Sequence, residues 1–194
     1  MKKTSTLDVE RLSDREVTTS FYLSQGLLFV IGCIGLFLFH RSVPPFSQLF
    51  AFSINHVIVL GFGSGILLAL LEWGLDKILP ETWLDDGGIN RRIFKALSRF
   101  HIVLAMLIVA VIEEFLFRGI LQSQFGWIAA SLIFGLVHIR YIKKPLMLLV
   151  AICLGFYLGW LYLYTGSLLA SIATHFSIDA ILGFVLKHTT EINK

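Results

Sequence analysis

The residues best suited to chemistry in this chain are two adjacent glutamates inside a strongly apolar stretch. Glu113 and Glu114 interrupt the apolar run 101–121, which is long enough to cross a bilayer. A carboxylate near the centre of such a helix costs roughly 2.5–3.5 kcal/mol on insertion scales. Because helical positions i and i+4 share a face, Arg118 is placed to pair with Glu114. Glu113 is left without a local countercharge, which makes it the candidate general base. The alternative, that the three side chains only lock helices together, stays open.

Two later apolar stretches carry histidines with a partner at the same helical spacing. Phe134 and His138 are four residues apart, and so are His175 and Asp179. A lone histidine of this kind is most often a hydrogen-bonded packing residue. Asp179, however, is a second acidic position within the bilayer and repeats the energetic cost of the first. We therefore expect the catalytic candidates to surround one small wet cavity: Glu113, His138, His175 and Asp179.

The elements that must position these side chains are membrane-spanning helices. Of the 194 residues 56% are apolar, and the mean hydropathy is +0.80, whereas a soluble domain is usually about 45–50% apolar. The composition predicts an all-α, polytopic transmembrane helical bundle in contact with the lipid bilayer. About six spans are expected, the fourth of them short. They cover Phe21–Phe39, Asn55–Leu75, His101–Leu121, Phe125–Ile139, Leu146–Tyr164 and Ser167–Leu186.

The distribution of basic residues predicts the orientation of the bundle. Fourteen of the sixteen Lys and Arg residues lie before the first span, after the sixth, or in alternate connections between spans. By the positive-inside rule both termini are cytoplasmic. Residues 1–19 are then a cytoplasmic tail, 20–187 a single membrane domain, and 89–100 an amphipathic segment on the cytoplasmic surface. The net charge of +3 is explained by the excess of Lys and Arg in the predicted cytoplasmic segments, so no nucleic-acid partner is needed to account for it.

Glycines in two spans resemble phosphate-binding loops only superficially. Gly61 and Gly65 lie inside an apolar helix, where a dinucleotide fingerprint would need a preceding strand. Gly155 and Gly159 are likewise four residues apart within a span. Small residues at this spacing let helices approach closely, so all four glycines are predicted to serve packing.

The chemically interesting residues also carry a resemblance to a known family. In order along the chain, the sequence resembles the three motifs of the CAAX-protease and bacteriocin-processing (CPBP, or Abi) family of intramembrane endopeptidases: Glu113-Glu114-x-x-x-Arg118, Phe134-x-x-x-His138 and His175-x-x-x-Asp179. The likeness covers about residues 101–186, a CPBP-type core, and leaves out the tail and the first two spans.

The resemblance implies hydrolysis of a peptide bond in a membrane-associated peptide or protein, by CAAX-type or related processing. It implies that Glu113 and His138 activate a water and that His175 and Asp179 steady the oxyanion. Supporting roles fall to Glu114, Arg118 and Phe134.

One departure from the family pattern concerns Asp179. Many members have Asn at this position, which donates a hydrogen bond to an oxyanion, whereas an ionised Asp repels it. Either Asp179 is protonated, or it orients His175, or it ligates a cation.

A metal ion is a further possibility that the resemblance raises. Family members are classed as metalloproteases, and a glutamate-dependent route without a ligated metal is also discussed for them. Two histidines and a carboxylate can hold Zn²⁺ or another divalent metal, and the possible ligands are Glu113, His138 and His175. The usual His-Glu-x-x-His signature is absent, so both routes stay open.

Two non-enzymatic functions compete with proteolysis. A non-catalytic membrane scaffold or a bacteriocin-immunity protein would use the same fold and tolerate loss of Glu113. A proton-coupled transporter would use the Glu and His residues as a relay, but it usually shows paired repeats, and none is visible. The short form without organelle signals predicts a bacterial cell membrane as the location.

Overall fold

The long apolar runs fold as helices, because inside a bilayer every backbone polar group must be paired within its own segment. The computed structural model describes residues 11–84 and 86–192, and within them it contains helices and no strand. In chain order the helices are α1 (Asp14–Phe39), α2 (Phe46–Leu49), α3 (Asn55–Ile78), α4 (Glu81–Leu84), α5 (Ile89–Ala96), α6 (Arg99–Phe125), α7 (Trp127–Val137), α8 (Pro145–Thr165) and α9 (Leu168–Ile192).

Five of these helices, α1, α3, α6, α8 and α9, are long and apolar enough to cross a membrane. Large apolar side chains on the outer faces of α1 and α3 are exposed, among them Leu23, Phe37 and Leu67. Such surfaces suit lipid, which is as apolar as the side chains themselves. The polytopic helical bundle predicted from composition is therefore confirmed, and the protein is an integral membrane protein.

The fourth predicted span, Phe125–Ile139, is a shorter apolar helix. The structure gives α7 only 11 residues, about 16 Å at 1.5 Å per residue, roughly half of a hydrocarbon core. It begins after Gly126, whose positive φ of 83° reverses the chain, and it ends at His138 with ψ of 55°. A glycine suits this turn because φ above zero is costly for other residues.

Two long helices contain π-helical turns that the sequence did not predict. The first nine residues of α3, Asn55–Gly63, are π-helical, and so is the stretch Phe115–Gln122 of α6. π turns are rare and are frequently found at functional sites. In α6 the π turn begins directly after Glu114, beside the predicted catalytic pair.

The helix ends differ from the predicted boundaries. Residues 1–10 of the predicted tail 1–19 lie outside the described residues. The remainder is partly helical, because α1 already begins at Asp14. Ser13 caps α1 and forms a capping box with Glu16. At the other end, α9 continues beyond position 187 to Ile192.

The predicted amphipathic segment 89–100 is divided between two helices. Residues 89–96 form α5, and Ser98 starts α6 by accepting the backbone N–H of His101. The α5 helix packs against the bundle: Arg92 pairs with Asp14 of α1 at 2.7 Å, and Lys187 of α9 donates to the carbonyl of Leu97 at 2.7 Å. The segment thus ties together one end of α1 and of α9.

The crossing of α3 and α9 depends on the predicted packing glycines. A Cβ at Gly61 would lie 2.8 Å from the Cβ of Ala173, and one at Gly65 would lie 2.6 Å from the Cβ of Ser177. Close approach also lets the Thr174 hydroxyl donate to the Gly61 carbonyl at 3.0 Å. The prediction that Gly61 and Gly65 serve packing is confirmed.

We predict opposite effects for alanine at two glycines of α3. Gly65→Ala forces α3 away from α9 and should lower the free energy of unfolding by about 1–3 kcal/mol, as overpacking does. The control is Gly74→Ala, because a Cβ there meets nothing within 4 Å and alanine favours the helix. Thermal unfolding of the two variants in one detergent makes the comparison. Equal melting temperatures would contradict the close crossing.

Candidate active site

The helical hairpin of α6 and α7 brings the first two motifs to one level. Glu113 lies twelve residues before Phe125 at the end of α6, and His138 lies eleven residues after Trp127 at the start of α7. The two arms are therefore nearly equal, about 18 and 16 Å at 1.5 Å per residue. The third motif comes from α9, which packs against α6.

The carboxylate of Glu114 is the centre of the polar cluster. Its Oε1 accepts from Arg118 Nη1 and from His175 Nδ1, each at 2.9 Å, and the side chain is fully buried. An ionised carboxylate only accepts hydrogen bonds, so Nδ1 of His175 carries a proton. The predicted Glu114–Arg118 ion pair is present, and the same carboxylate joins α6 to α9.

The guanidinium of Arg118 joins α6 to α7 and α8. Its Nη2 donates to the Gly155 carbonyl of α8 at 3.0 Å, which also accepts from the Ser131 hydroxyl of α7 at 3.1 Å. Its Cζ lies 4.3 Å from the ring centroid of Phe134, a cation–π distance. Because a Cβ at Gly155 would lie 2.8 Å from the Ser131 carbonyl, only glycine allows this approach.

The ring of Phe134 contacts both histidines. Its centroid is 5.2 Å from that of His138 and 5.9 Å from that of His175, edge-on to the latter. Sequence reasoning identified Phe134 as a supporting residue, and the structure places it in contact with Arg118 and both imidazoles. Sequence reasoning missed the acceptor role of the Gly155 carbonyl, because a backbone carbonyl leaves no signal in side-chain patterns.

His138 stands at the end of α7 with one ring nitrogen engaged. Its Nδ1 is 2.8 Å from the carbonyl oxygen of Phe134. A carbonyl only accepts, so Nδ1 carries the hydrogen and Nε2 of the neutral ring keeps its lone pair. The half-buried imidazole therefore offers a basic nitrogen that is not taken by this contact.

Glu113 is buried, but its carboxylate lacks the two donors that meet Oε1 of Glu114, whose Oε2 is itself buried without a hydrogen-bond partner among the described residues. The Oε2 of Glu113 lies 4.0 Å from His175 Nε2, beyond hydrogen-bond distance. No described residue hydrogen-bonds to it. The structure thus brings the carboxylate close to the His175 imidazole and leaves its oxygens available to a small molecule.

Asp179 faces the second nitrogen of His175. Its Oδ2 is 3.4 Å from Nε2, and 29% of its side chain is exposed. Of the three roles predicted for Asp179, this contact fits the one in which it orients His175. The imidazole is then held between two carboxylates, Glu114 at Nδ1 and Asp179 at Nε2.

The predicted metal ligands are one carboxylate and two imidazoles, those of Glu113, His138 and His175. In the described parts of the chain, 11–84 and 86–192, no group of three or more His, Cys, Asp or Glu is arranged to hold a metal ion. Nδ1 of each histidine already has a protein partner. The ligand set Glu113, His138 and His175 stays a prediction, and no step below passes through a metal.

Comparison with known proteins gives the family. The model of Rce1-like proteins, type II CAAX prenyl endopeptidases, matches residues 95–181. The chain belongs to this Rce1-like family. It is also 36% identical over 155 residues to "Uncharacterized protein YpbD" of Bacillus subtilis (strain 168). The aligned residues cover 80% of this chain and 82% of that protein. No solved structure matches the chain. The Rce1-like match confirms the resemblance seen in the motifs and contains every residue of the cluster around Glu114.

We predict that Arg118→Met severely destabilises the protein. It leaves the buried Glu114 carboxylate without its countercharge, which typically costs about 3–5 kcal/mol. The matched control is Arg99→Gln, which breaks an exposed pair with Glu191 and should change little. Unfolding in detergent, followed by tryptophan fluorescence, measures both. If the two variants unfold alike, the Arg118 contact is not a structural requirement.

Proposed function

We propose that this protein is an intramembrane endopeptidase that uses Glu113 and His138 to activate water. The observation that carries the proposal is the difference between two adjacent carboxylates. Oε1 of Glu114 accepts from both Arg118 and His175, while Glu113 lies buried 4.0 Å from Nε2 of His175 with no hydrogen bond from a described residue. A carboxylate held in this way suits the role of a general base.

The proposed reaction begins with a water between Glu113 and the His138 Nε2 lone pair. Glu113 takes a proton from the water, and the oxygen of that water adds to the carbonyl carbon of the scissile peptide bond. The C–N bond then breaks as the proton passes from Glu113 to the leaving nitrogen, which gives a carboxylic acid and an amine. General bases of this kind typically contribute about 10²–10⁴-fold to the rate.

His175 is proposed to stabilise the oxyanion of the tetrahedral intermediate. When both ring nitrogens carry protons, Nδ1 donates to Glu114 while Nε2 is free to donate to the oxyanion, the kind of contact that lowers such barriers. Asp179, 3.4 Å from Nε2, is proposed to orient the ring and to release it when substrate binds. This role does not require Asp179 to donate a hydrogen bond itself.

The proposed substrate is a membrane-associated peptide or protein, and CAAX-type processing is the form that the family name suggests. We propose the bacterial cell membrane as the location, with both termini cytoplasmic. The orientation is supported by the gathering of Arg92, Arg140 and Lys187 at one end of the bundle through their contacts with the segment 86–97. A C-terminal reporter that fluoresces only in the cytoplasm tests this orientation.

We predict that Glu113→Gln abolishes proteolysis and leaves the fold intact. The substitution keeps size and hydrogen-bonding capacity but removes the base, so cleavage should fall by at least about 100-fold. Purified wild-type and variant proteins in lipid are compared on a membrane-peptide library by mass spectrometry. Glu191→Gln, an exposed position near the end of α9, is the control and should cleave as the wild type does.

Two outcomes would overturn the proposal. One is cleavage by Glu113→Gln at the wild-type rate. The other is a wild-type cellular phenotype that persists unchanged in Glu113→Gln cells, as a scaffold or an immunity protein would show. Zinc analysis of the purified protein tests the metal prediction separately: one bound equivalent, with activity lost to a chelator and restored by zinc, would require a metal-assisted route.

A further inference from the structure

The proposed mechanism leaves unused an aromatic side chain that touches the catalytic histidine. Tyr141 is buried at 9% exposure, and its ring stacks on the His138 imidazole with centroids 5.5 Å apart and planes 17° apart. A 3₁₀ turn over Ile139–Tyr141 places it there, and its N–H donates to the His138 carbonyl at 2.8 Å. The histidine thus contacts two aromatic rings, those of Phe134 and Tyr141.

Tyr141 is itself held by Arg140. The Arg140 Nη2 donates to the Tyr141 hydroxyl at 2.9 Å and to the Asn90 side-chain oxygen at 2.7 Å. Its Cζ also lies 4.9 Å from the Tyr141 ring centroid. Burial raises the pKa of Tyr141 above its usual value, so the hydroxyl stays neutral and can accept from Arg140 throughout the physiological range.

The chain of contacts ends in the turn before α5. Asp86, with 8% of its side chain exposed, lies 3.6 Å from Arg140 Nη1 and accepts the Asn90 backbone N–H at 2.8 Å. Gly87 and Gly88 follow with φ of 82° and 79°, which suits glycine alone. We call residues 86–97, which comprise this turn and α5, the strap. The strap therefore connects α1 and α9 to the residues beside His138.

We propose that Tyr141 is a positioning residue for His138 and that Arg140 and the strap hold it in place. The inference rests on the proposed function, because it assigns His138 its catalytic role. The Nδ1–H bond to Phe134 fixes one edge of the imidazole, and stacking on Tyr141 fixes its plane. Together they direct Nε2 to one point, as a base requires to meet its water.

The first test compares two substitutions of Tyr141. Tyr141→Leu removes the stacked ring and should lower kcat by up to about 100-fold, since misplacement of a base by about 1 Å has effects of this size. KM should stay within about twofold, because no substrate contact is removed. Tyr141→Phe loses the hydroxyl but keeps the ring and its cation–π contact with Arg140, so it should retain most of the activity. A merely space-filling role would not favour the Phe variant over the Leu variant in this way.

The second test concerns Arg140 and has a matched control. Arg140→Gln should lower kcat in the same manner as Tyr141→Leu, though by less, because the ring stays but loses its anchor. Arg99→Gln removes one positive charge from the same end of the bundle and has no contact with Tyr141 or His138 among those described. It should leave kcat and KM unchanged, which separates positioning from a general effect of surface charge.

The third test needs no substrate and so separates this inference from the proposed function. In ¹⁵N-histidine-labelled protein at about pH 8, where imidazole is mainly neutral, His138 should show a hydrogen on Nδ1. A His138→Gln variant assigns the signal. Tyr141→Leu and Arg140→Gln should give a mixture of tautomers, whereas Tyr141→Phe should keep the wild-type pattern.

The results that would overturn the inference are specific. They are an unchanged His138 signal in both Tyr141→Leu and Arg140→Gln, or equal losses of kcat in the Phe and Leu variants, or equal losses in Arg140→Gln and Arg99→Gln. If the wild type cleaves nothing but the His138 signal changes as expected, the proposed function fails and the positioning contact stands.

Discussion

The buried carboxylate of Glu114 is the interaction on which the rest of the site depends. A charge with no solvent contact persists in a protein only when it is paired and hydrogen-bonded, and one oxygen of Glu114 meets both Arg118 and His175 at 2.9 Å. Burial of the Glu114–Arg118 pair costs less free energy than burial of two separate charges in lipid. The contact of Glu114 with His175 fixes α9 against α6. These contacts engage one oxygen of one glutamate of the adjacent pair, which leaves Glu113 without a charged hydrogen-bond donor in the described parts of the chain.

The same cation carries the constraint to the hairpin of α6 and α7. Arg118 is always charged, so each of its N–H groups needs an acceptor inside the bundle. One acceptor is the carbonyl of Gly155, exposed because glycine has no side chain, and the flat face of Phe134 covers the guanidinium. Phe134 also contacts both histidines. Four helices are thus arranged around one ion pair, which accounts for the concentration of polar residues in an otherwise apolar interior.

The sequence allowed prediction of those features that depend on periodicity within one helix. The Glu114–Arg118 pair, the close crossing at Gly61 and Gly65, and the helical bundle itself follow from spacing and hydropathy. Features that depend on backbone atoms or on neighbouring helices were missed. The π turn after Glu114, the acceptor role of the Gly155 carbonyl and the docking of α5 leave no periodic signal. The length of α7 was uncertain for a related reason: apolar residues continue past Val137, where the helical conformation ends.

The short α7 accounts for the position of His138. At about 16 Å it is roughly half as long as a hydrocarbon layer of about 30 Å is thick, and His138 stands at its end. The chain continues through Arg140, Lys143 and Lys144, whose charged groups are stable only near water, and Arg140 contacts Asp86 and Asn90 of the strap. The end of α7 therefore places an imidazole beside a charged connection, and the nearly equal arms of the α6–α7 hairpin bring it level with Glu113, as the proposed activation of water requires.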